Sequence, residues 1–194
     1  MKLAAIVLAA GKSSRMGTNK LLLEVGGKRV LDHILSKLSS IPTIVVLGHR
    51  PEDIRELAES QGATTVHNPD YEMGMTTSFQ TGLSALPSDV EAVFMVLSDT
   101  FGFKRELLAR MVERLEENGE ALIVSPIHES KRGHPVLFRR EILGEFMELG
   151  DGETMKDVVN RHESRHVYVE SDIWATIDLD TPEDLDRIKR LWAG

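Results

Sequence analysis

Short apolar runs rich in β-branched residues alternate with amphipathic stretches along this chain, and that alternation leaves few architectures open. Leu3–Leu8, Thr43–Leu47, Ala92–Leu97 and Ala121–Ser125 are almost continuously apolar, and the β-branched run Thr64–His67 reads as a further strand. This is the pattern of parallel strands covered on both faces. Between them, Val30–Leu38, Pro51–Ser60, Thr77–Leu86 and Glu106–Glu117 carry helical spacing. Pro51 suits a first helical position, and Gly62 and Gly119 fall where helix stops are expected. The last third is less regular. Pro135–Phe138, His166–Val169 and Thr176–Leu179 read as strands, with helices near Glu141–Met147 and Met155–Arg161. Thr181 then offers an N-cap, Pro182 a first helical residue and Glu183-Asp184 an acidic first turn for a closing helix, Pro182–Leu191. The pattern predicts a single doubly wound α/β domain with an irregular insertion after Ser125.

Composition narrows the chemistry. With 41% hydrophobic but only 5% aromatic residues, aliphatic side chains must fill the core, and 194 residues suffice to build one. The absence of Cys removes disulfide scaffolds, thiolate metal sites and Cys nucleophiles. A net charge of −8 argues against nucleic acid as a partner. The charge is uneven, however: Lys2, Lys12, Arg15 and Lys20 all precede Glu24, the first acid. That asymmetry predicts a local anion site on an acidic protein. The apolar N-terminal run is too short for a signal peptide or a membrane span, so no membrane association and a cytoplasmic location are expected.

The basic segment follows the first predicted strand directly, as Leu8-Ala9-Ala10-Gly11-Lys12-Ser13-Ser14-Arg15-Met16-Gly17, with Lys20 just beyond. Ligands of open α/β sheets gather at the carboxyl ends of strands. Small residues there let backbone N–H groups approach a phosphate, and Arg15 and Lys20 supply a planar fork and a point charge. Two familiar phosphate loops are excluded. A Walker A loop ending at Gly11-Lys12-Ser13 needs Gly where Ile6 stands, and the dinucleotide fingerprint needs Gly at Ser13. Asp99, at the end of Ala92–Leu97, is a candidate magnesium ligand on the same sheet edge. Asp178 and Asp180 would share one face if Thr176–Leu179 is a strand. Asp178 is the preferred second ligand, because Asp180 lies beside the Thr181 cap. Ser78 heads a predicted helix, where a hydroxyl can cap or bind ligand. His134, in Arg132-Gly133-His134-Pro135, has no metal-ligand spacing to another His.

Together these segments resemble the molybdenum-cofactor nucleotidylyltransferases, on the cytidylyltransferase branch. The resemblance rests on the first loop, Val46-Leu47-Gly48-His49, Asn68-Pro69-Asp70-Tyr71 and Gly74-Met75 with Ser78 and Gly82-Leu83. It extends through Gly133-His134-Pro135-Val136-Leu137-Phe138, Gly150-Asp151 and Asp178-x-Asp180-Thr181-Pro182-Glu183-Asp184-Leu185. It implies a Rossmann-like three-layer fold and transfer of CMP from CTP to the phosphate of molybdopterin, with Mg2+ and release of pyrophosphate. The implied nucleotide site is Leu8, Ala9, Ala10, Gly11, Ser13, Arg15, Lys20, Gly48, Gly74 and Ser78. Arg15, Lys20 and Asp99 would carry catalysis. Gly133, His134, Pro135 and Asp180 would face the acceptor. Residues 1–125 would form the nucleotide-binding part and 126–194 the acceptor part. The molybdoenzyme receiving the cofactor is a further candidate partner.

The guanylyl branch has Gly where this chain has Ala10, so the methyl is expected to take room a purine needs. The chain departs from the family at Ser98-Asp99-Thr100-Phe101, where Gly-Asp-Gln-Pro is usual. It departs again at Glu153-Thr154-Met155, where Gly-Ala-Arg is common. Transfer to a sugar or polyol phosphate, or a nucleotide-binding or cofactor-chaperone module without transfer, are the alternatives these departures keep open.

Overall fold

The computed structural model describes residues 1–194. Its strands are β1 (Leu3–Ala9), β2 (Glu24–Val25), β3 (Lys28–Arg29), β4 (Thr43–Leu47), β5 (Thr64–His67), β6 (Ala92–Leu97), β7 (Ile123–His128), β8 (Lys131–Arg132), β9 (Val136–Arg139) and β10 (His166–Glu170). The helices are α1 (Val30–Lys37), α2 (Glu52–Ser60), α3 (Met75–Ser84), α4 (Arg105–Glu117), α5 (Leu143–Met147), α6 (Met155–Arg161) and α7 (Pro182–Ala193). The main sheet runs β10-β7-β9-β6-β1-β4-β5, with β8 turned back on β7. Pairing is parallel between β1 and β4, β1 and β6, β4 and β5, and β7 and β10. Only β9, wedged between β6 and β7, and the short β8 run antiparallel within this sheet.

Alternation within β1 explains the layers. Ala5, Val7 and Ala9 point into a cluster with Leu31 and Ile34 of α1, Leu108 and Met111 of α4 and Ile188 of α7. Ala4, Ile6 and Leu8 point into the opposite cluster, with Phe79 and Leu83 of α3, Phe146 of α5 and Val158 of α6. Each of the larger side chains contributes roughly 1.5–3 kcal/mol by leaving water, so a one-residue slip of β1 would exchange both faces and is strongly disfavoured. Capping follows the sequence signals. The Thr181 hydroxyl accepts from the Asp184 N–H at 3.2 Å and Asp184 reaches back to the Thr181 N–H at 2.9 Å, a reciprocal pair that starts α7. No helix is long and apolar enough to cross a membrane.

The chain leaves β1 for β4 and β5 on one side, then returns to β6 on the other. The topological switch therefore falls between β1 and β6, where the loops after Ala9 and Leu97 face one crevice.

Two expectations need correction. The stretch after Ser125 is not an irregular insertion: it completes the sheet through β7, β8, β9 and β10. Thr176–Leu179, by contrast, is not a strand. A tight turn at Ile173–Ala175 precedes it, and it bonds to neighbours only singly, with Leu179 N–H donating to Asp99 C=O and His134 N–H to Ala175 C=O. The reason is non-local. The β6–β9 pairing ends at Met95 and Val136, and this segment crosses above that end as a ledge instead of entering the ladder. Gly133 makes the crossing possible, because a Cβ there would lie 2.1 Å from the Ala175 carbonyl oxygen.

Candidate active site

The loop after β1 folds back over the strand end. Ser13 and Gly17 both adopt left-handed backbone, with φ of 51° and 69°, and the Lys20 N–H donates to the Ser13 hydroxyl at 3.3 Å. The result is one wall of a cleft of about 350 Å³. Of the nucleotide residues named from sequence, Leu8, Ala10, Gly11, Ser13, Arg15, Lys20, Gly74 and Ser78 line it, and Asp99 and Asp180 close its far side. Ala9 does not; its side chain is in the core. Gly48 lies behind the cleft, where a Cβ would come within 2.6 Å of the Ala10 carbonyl oxygen and 2.7 Å of the Ala10 methyl. Its bareness is what lets Ala10 sit at the back wall.

Electrostatics focus on Lys20. Its ammonium is largely buried and lies 3.3 Å from Asp180 Oδ1 and 3.6 Å from Asp99 Oδ2. It also reaches the Leu179 carbonyl at 3.4 Å. Arg15 contacts the other Asp180 oxygen at 3.5 Å from the solvent side. The ledge brings Asp180 here, although the strand expected to place it does not form. Asp178 is held differently: Thr100 Oγ1 donates to it at 3.0 Å, and Lys131 stands 3.8 Å away. Strand periodicity therefore does not pair Asp178 with Asp180: Asp178 faces Lys131, whereas Asp180 faces Lys20 and Arg15.

Asp99 and Asp180 share a single cation between hard oxygen donors, a set that fits a magnesium-type ion. No three His, Asp or Glu side chains converge on one point, so such an ion would take its other ligands from phosphate and water. The donor set fits. The departure from the family at Thr100-Phe101 is accommodated in the interior. Thr100 is fully buried, with its hydroxyl also 3.4 Å from Asp99. Phe101 stacks on Trp192 at 5.9 Å.

A second cavity of about 800 Å³ opens beside the cleft, and Gly74 and Met75 line both. Gly133 and His134 form part of its wall, whereas Pro135 is buried behind them. His134 Nδ1 is buried with no hydrogen-bond partner. Burial pushes the His134 pKa down, against the opposing pull of the Asp99 and Asp178 carboxylates. An unpaired buried polar atom costs about 1–3 kcal/mol, so its retention marks a place where a ligand atom can bond.

Several contributors escaped the sequence reading. Tyr71 lines the cleft. Asn68, buried, donates to both Thr77 and Ser78 hydroxyls at 3.0 Å and so aims Ser78. Ser125 and His166 hydrogen bond at 2.8 Å, and both line the larger cavity. For Asn68 and Tyr71 the signal is their place in Asn68-Pro69-Asp70-Tyr71, directly after a predicted strand. The Ser125–His166 pairing spans 41 residues and left no local signal.

Comparison with known proteins gives the family and the fold. Residues 5–167 match the family model described as the MobA-like NTP transferase domain. The chain is 28% identical to the molybdenum cofactor cytidylyltransferase of Escherichia coli over 92% of its own length and 91% of that protein's. Among solved structures, Rv0371c from Mycobacterium tuberculosis superposes with a TM-score of 0.82 at 23% identity, covering 98% of both chains. A manganese complex of that protein superposes at 0.76. The chain belongs to the MobA-like NTP transferase family and is a nucleotidyltransferase.

Proposed function

We propose that the protein transfers the cytidylyl group of CTP to the phosphate of molybdopterin, with a divalent ion such as Mg2+. The observation that carries this reading is the convergence of Lys20 with Asp99 and Asp180 at the switch point, beside Arg15 and the Gly11 loop. The named Escherichia coli relative supports the choice of nucleotide and acceptor, and the Ala10 methyl at the back wall supports a pyrimidine. The manganese complex of the structural relative supports a divalent ion. In this reading Asp99 and Asp180 hold the ion and Asp178, bonded through Thr100, buttresses them. Residues 1–125 supply most of the nucleotide site. The acceptor cavity draws Gly74, Met75 and Gln80 from that part as well as Gly133, His134 and others from 126–194.

The chemistry demands little proton transfer. An acceptor phosphate oxygen attacks the α-phosphorus of CTP, the bond to the bridging oxygen breaks, and pyrophosphate departs. The phosphate is already ionised near neutral pH, so no general base is required. A bound divalent ion screens the triphosphate and stabilises charge on the leaving group. Arg15 and Lys20 hold the phosphates and relieve repulsion between the two anions. The loop from Leu8 to Ser13 and the Asn68-anchored Ser78 orient the nucleoside, so alignment contributes much of the acceleration. Pyrophosphate release measured with CTP, Mg2+ and molybdopterin, beside a panel of sugar and polyol phosphates, tests the reading. Release with molybdopterin above all others is expected. Preference for a polyol phosphate, or tight CTP binding without release from any acceptor, would overturn it.

A further inference from the structure

Met95, Val136, Phe138 and Val159 form an apolar part of the larger cavity's wall, and among the polar residues that also line it two are buried together, Ser125 on β7 and His166 on β10. Both are almost fully buried, and their contact is short, Ser125 Oγ to His166 Nε2 at 2.8 Å. The surroundings decide the direction of that bond. Tyr168 donates its hydroxyl to Glu163 at 3.1 Å, leaving a lone pair for His166 Nδ1 at 3.4 Å. A Glu163 carboxylate oxygen also lies 3.8 Å from Nδ1. Both neighbours accept, so Nδ1 carries the imidazole proton and Nε2 is bare. Ser125 must then donate to Nε2. Its remaining lone pairs are free to accept.

We propose that Ser125 is a specificity-determining residue of the acceptor site, accepting a hydrogen bond from an uncharged N–H or O–H edge of the acceptor. His166 is the positioning residue that fixes the hydroxyl. The proposal rests on the acceptor reading above and deepens it. Two features set the ligand class. Burial holds His166 neutral, with its pKa pushed down to about 4, and Glu163 is already paired with Arg132. The other charged groups lining the cavity, Arg132, Asp151, Glu153 and Lys156, are exposed, so its buried end at Ser125 offers no charge for the acceptor phosphate, which belongs instead near Lys20 and Arg15. The apolar walls and the volume of about 800 Å³ suit a planar, donor-bearing heterocycle better than a small, fully hydroxylated polyol. A site built to accept a hydrogen bond discriminates strongly against analogues lacking the donor.

Steady-state kinetics on the full chain separate the possibilities, with CTP, Mg2+ and molybdopterin as reactants. Ser125→Ala should raise the KM for molybdopterin roughly tenfold, with the KM for CTP and kcat little changed. His166→Leu should act in the same direction. His166→Gln, whose amide oxygen can still accept from Ser125, should recover much of the loss. Thermal stabilisation by Mg2+ and CTP, compared with the unsubstituted protein, reports whether each variant is folded. A wild-type molybdopterin KM in Ser125→Ala would overturn the proposal while leaving the function standing. An equal fall in the use of both substrates would overturn it in favour of a structural role. If the unsubstituted protein releases no pyrophosphate with molybdopterin, the acceptor reading itself fails, and this proposal with it.

Discussion

Lys20 is the side chain on which the site turns. A lysine among two carboxylates and a backbone carbonyl, with only 14% of its side chain exposed, is held far more firmly than a surface ammonium. It is therefore preorganised toward the place where the triphosphate would lie, and preorganised charges account for a large share of catalysis. Lys20→Ala should lower kcat by about 10²-fold or more, read as pyrophosphate release at saturating CTP. A rate within a factor of a few of the unsubstituted protein would remove Lys20 from catalysis. Ala10 makes a different kind of statement. Its methyl closes the back wall and is itself backed by bare Gly48, so Ala10→Gly should erode the preference for CTP over GTP in competition binding. An unchanged preference would mean that the base is read elsewhere. Both residues were legible in sequence, because the loop from Leu8 to Lys20 is local and acid-free.

At the level of elements, legibility divides along contact range. The runs Thr43–Leu47, Thr64–His67 and Ala92–Leu97 form strands with those bounds; burial on both faces marks nearly every residue of the first and last, while β-branched Thr64-Thr65-Val66 marks the more exposed edge strand. Thr176–Leu179 carries the same mark but forms a ledge, because β9 occupies the ladder position beside β6. Nothing within the segment's own residues records that competition. The ledge matters for function, since it carries Asp178 and Asp180 to the crevice. Gly133→Ala tests it: the added Cβ would meet the Ala175 carbonyl and must push the ledge outward. A loss of about 1–3 kcal/mol in unfolding free energy and weaker CTP binding are expected. Unchanged urea midpoints and CTP affinity would show that the close approach is not needed.

Across the whole molecule, stability and the site are linked through buried histidines. His166 is neutral in the folded protein, its pKa pushed from 6.5 down to about 4 by burial, while the unfolded chain binds a proton near 6.5. The stability contribution is therefore present above pH 6.5 and is lost as pH falls toward 4. Between pH 7 and pH 5 the loss attributable to His166 should be about 2 kcal/mol. Urea unfolding at the two values should show it, with a shallower fall in His166→Gln. Equal falls in both proteins would contradict the assignment. The Ser125–His166–Glu163 arrangement was invisible beforehand because Ser125 meets a segment 41 residues further along the chain to make it. The acidic charge of the chain and its basic first loop, in contrast, are local features, so the expectation of an anion site there needs no structure.

One joint arrangement carries the proposed activity: the cationic loop, Asp99 after β6 and Asp180 on the ledge converge where a metal-bound triphosphate would lie. Calorimetric titration of CTP with and without Mg2+, in the unsubstituted protein and in Asp99→Asn, tests it most directly. The account predicts that Mg2+ strengthens CTP binding at least tenfold, roughly 1.4 kcal/mol, and that Asp99→Asn abolishes this gain while keeping the metal-free affinity. A magnesium effect of the same size in both proteins would contradict it.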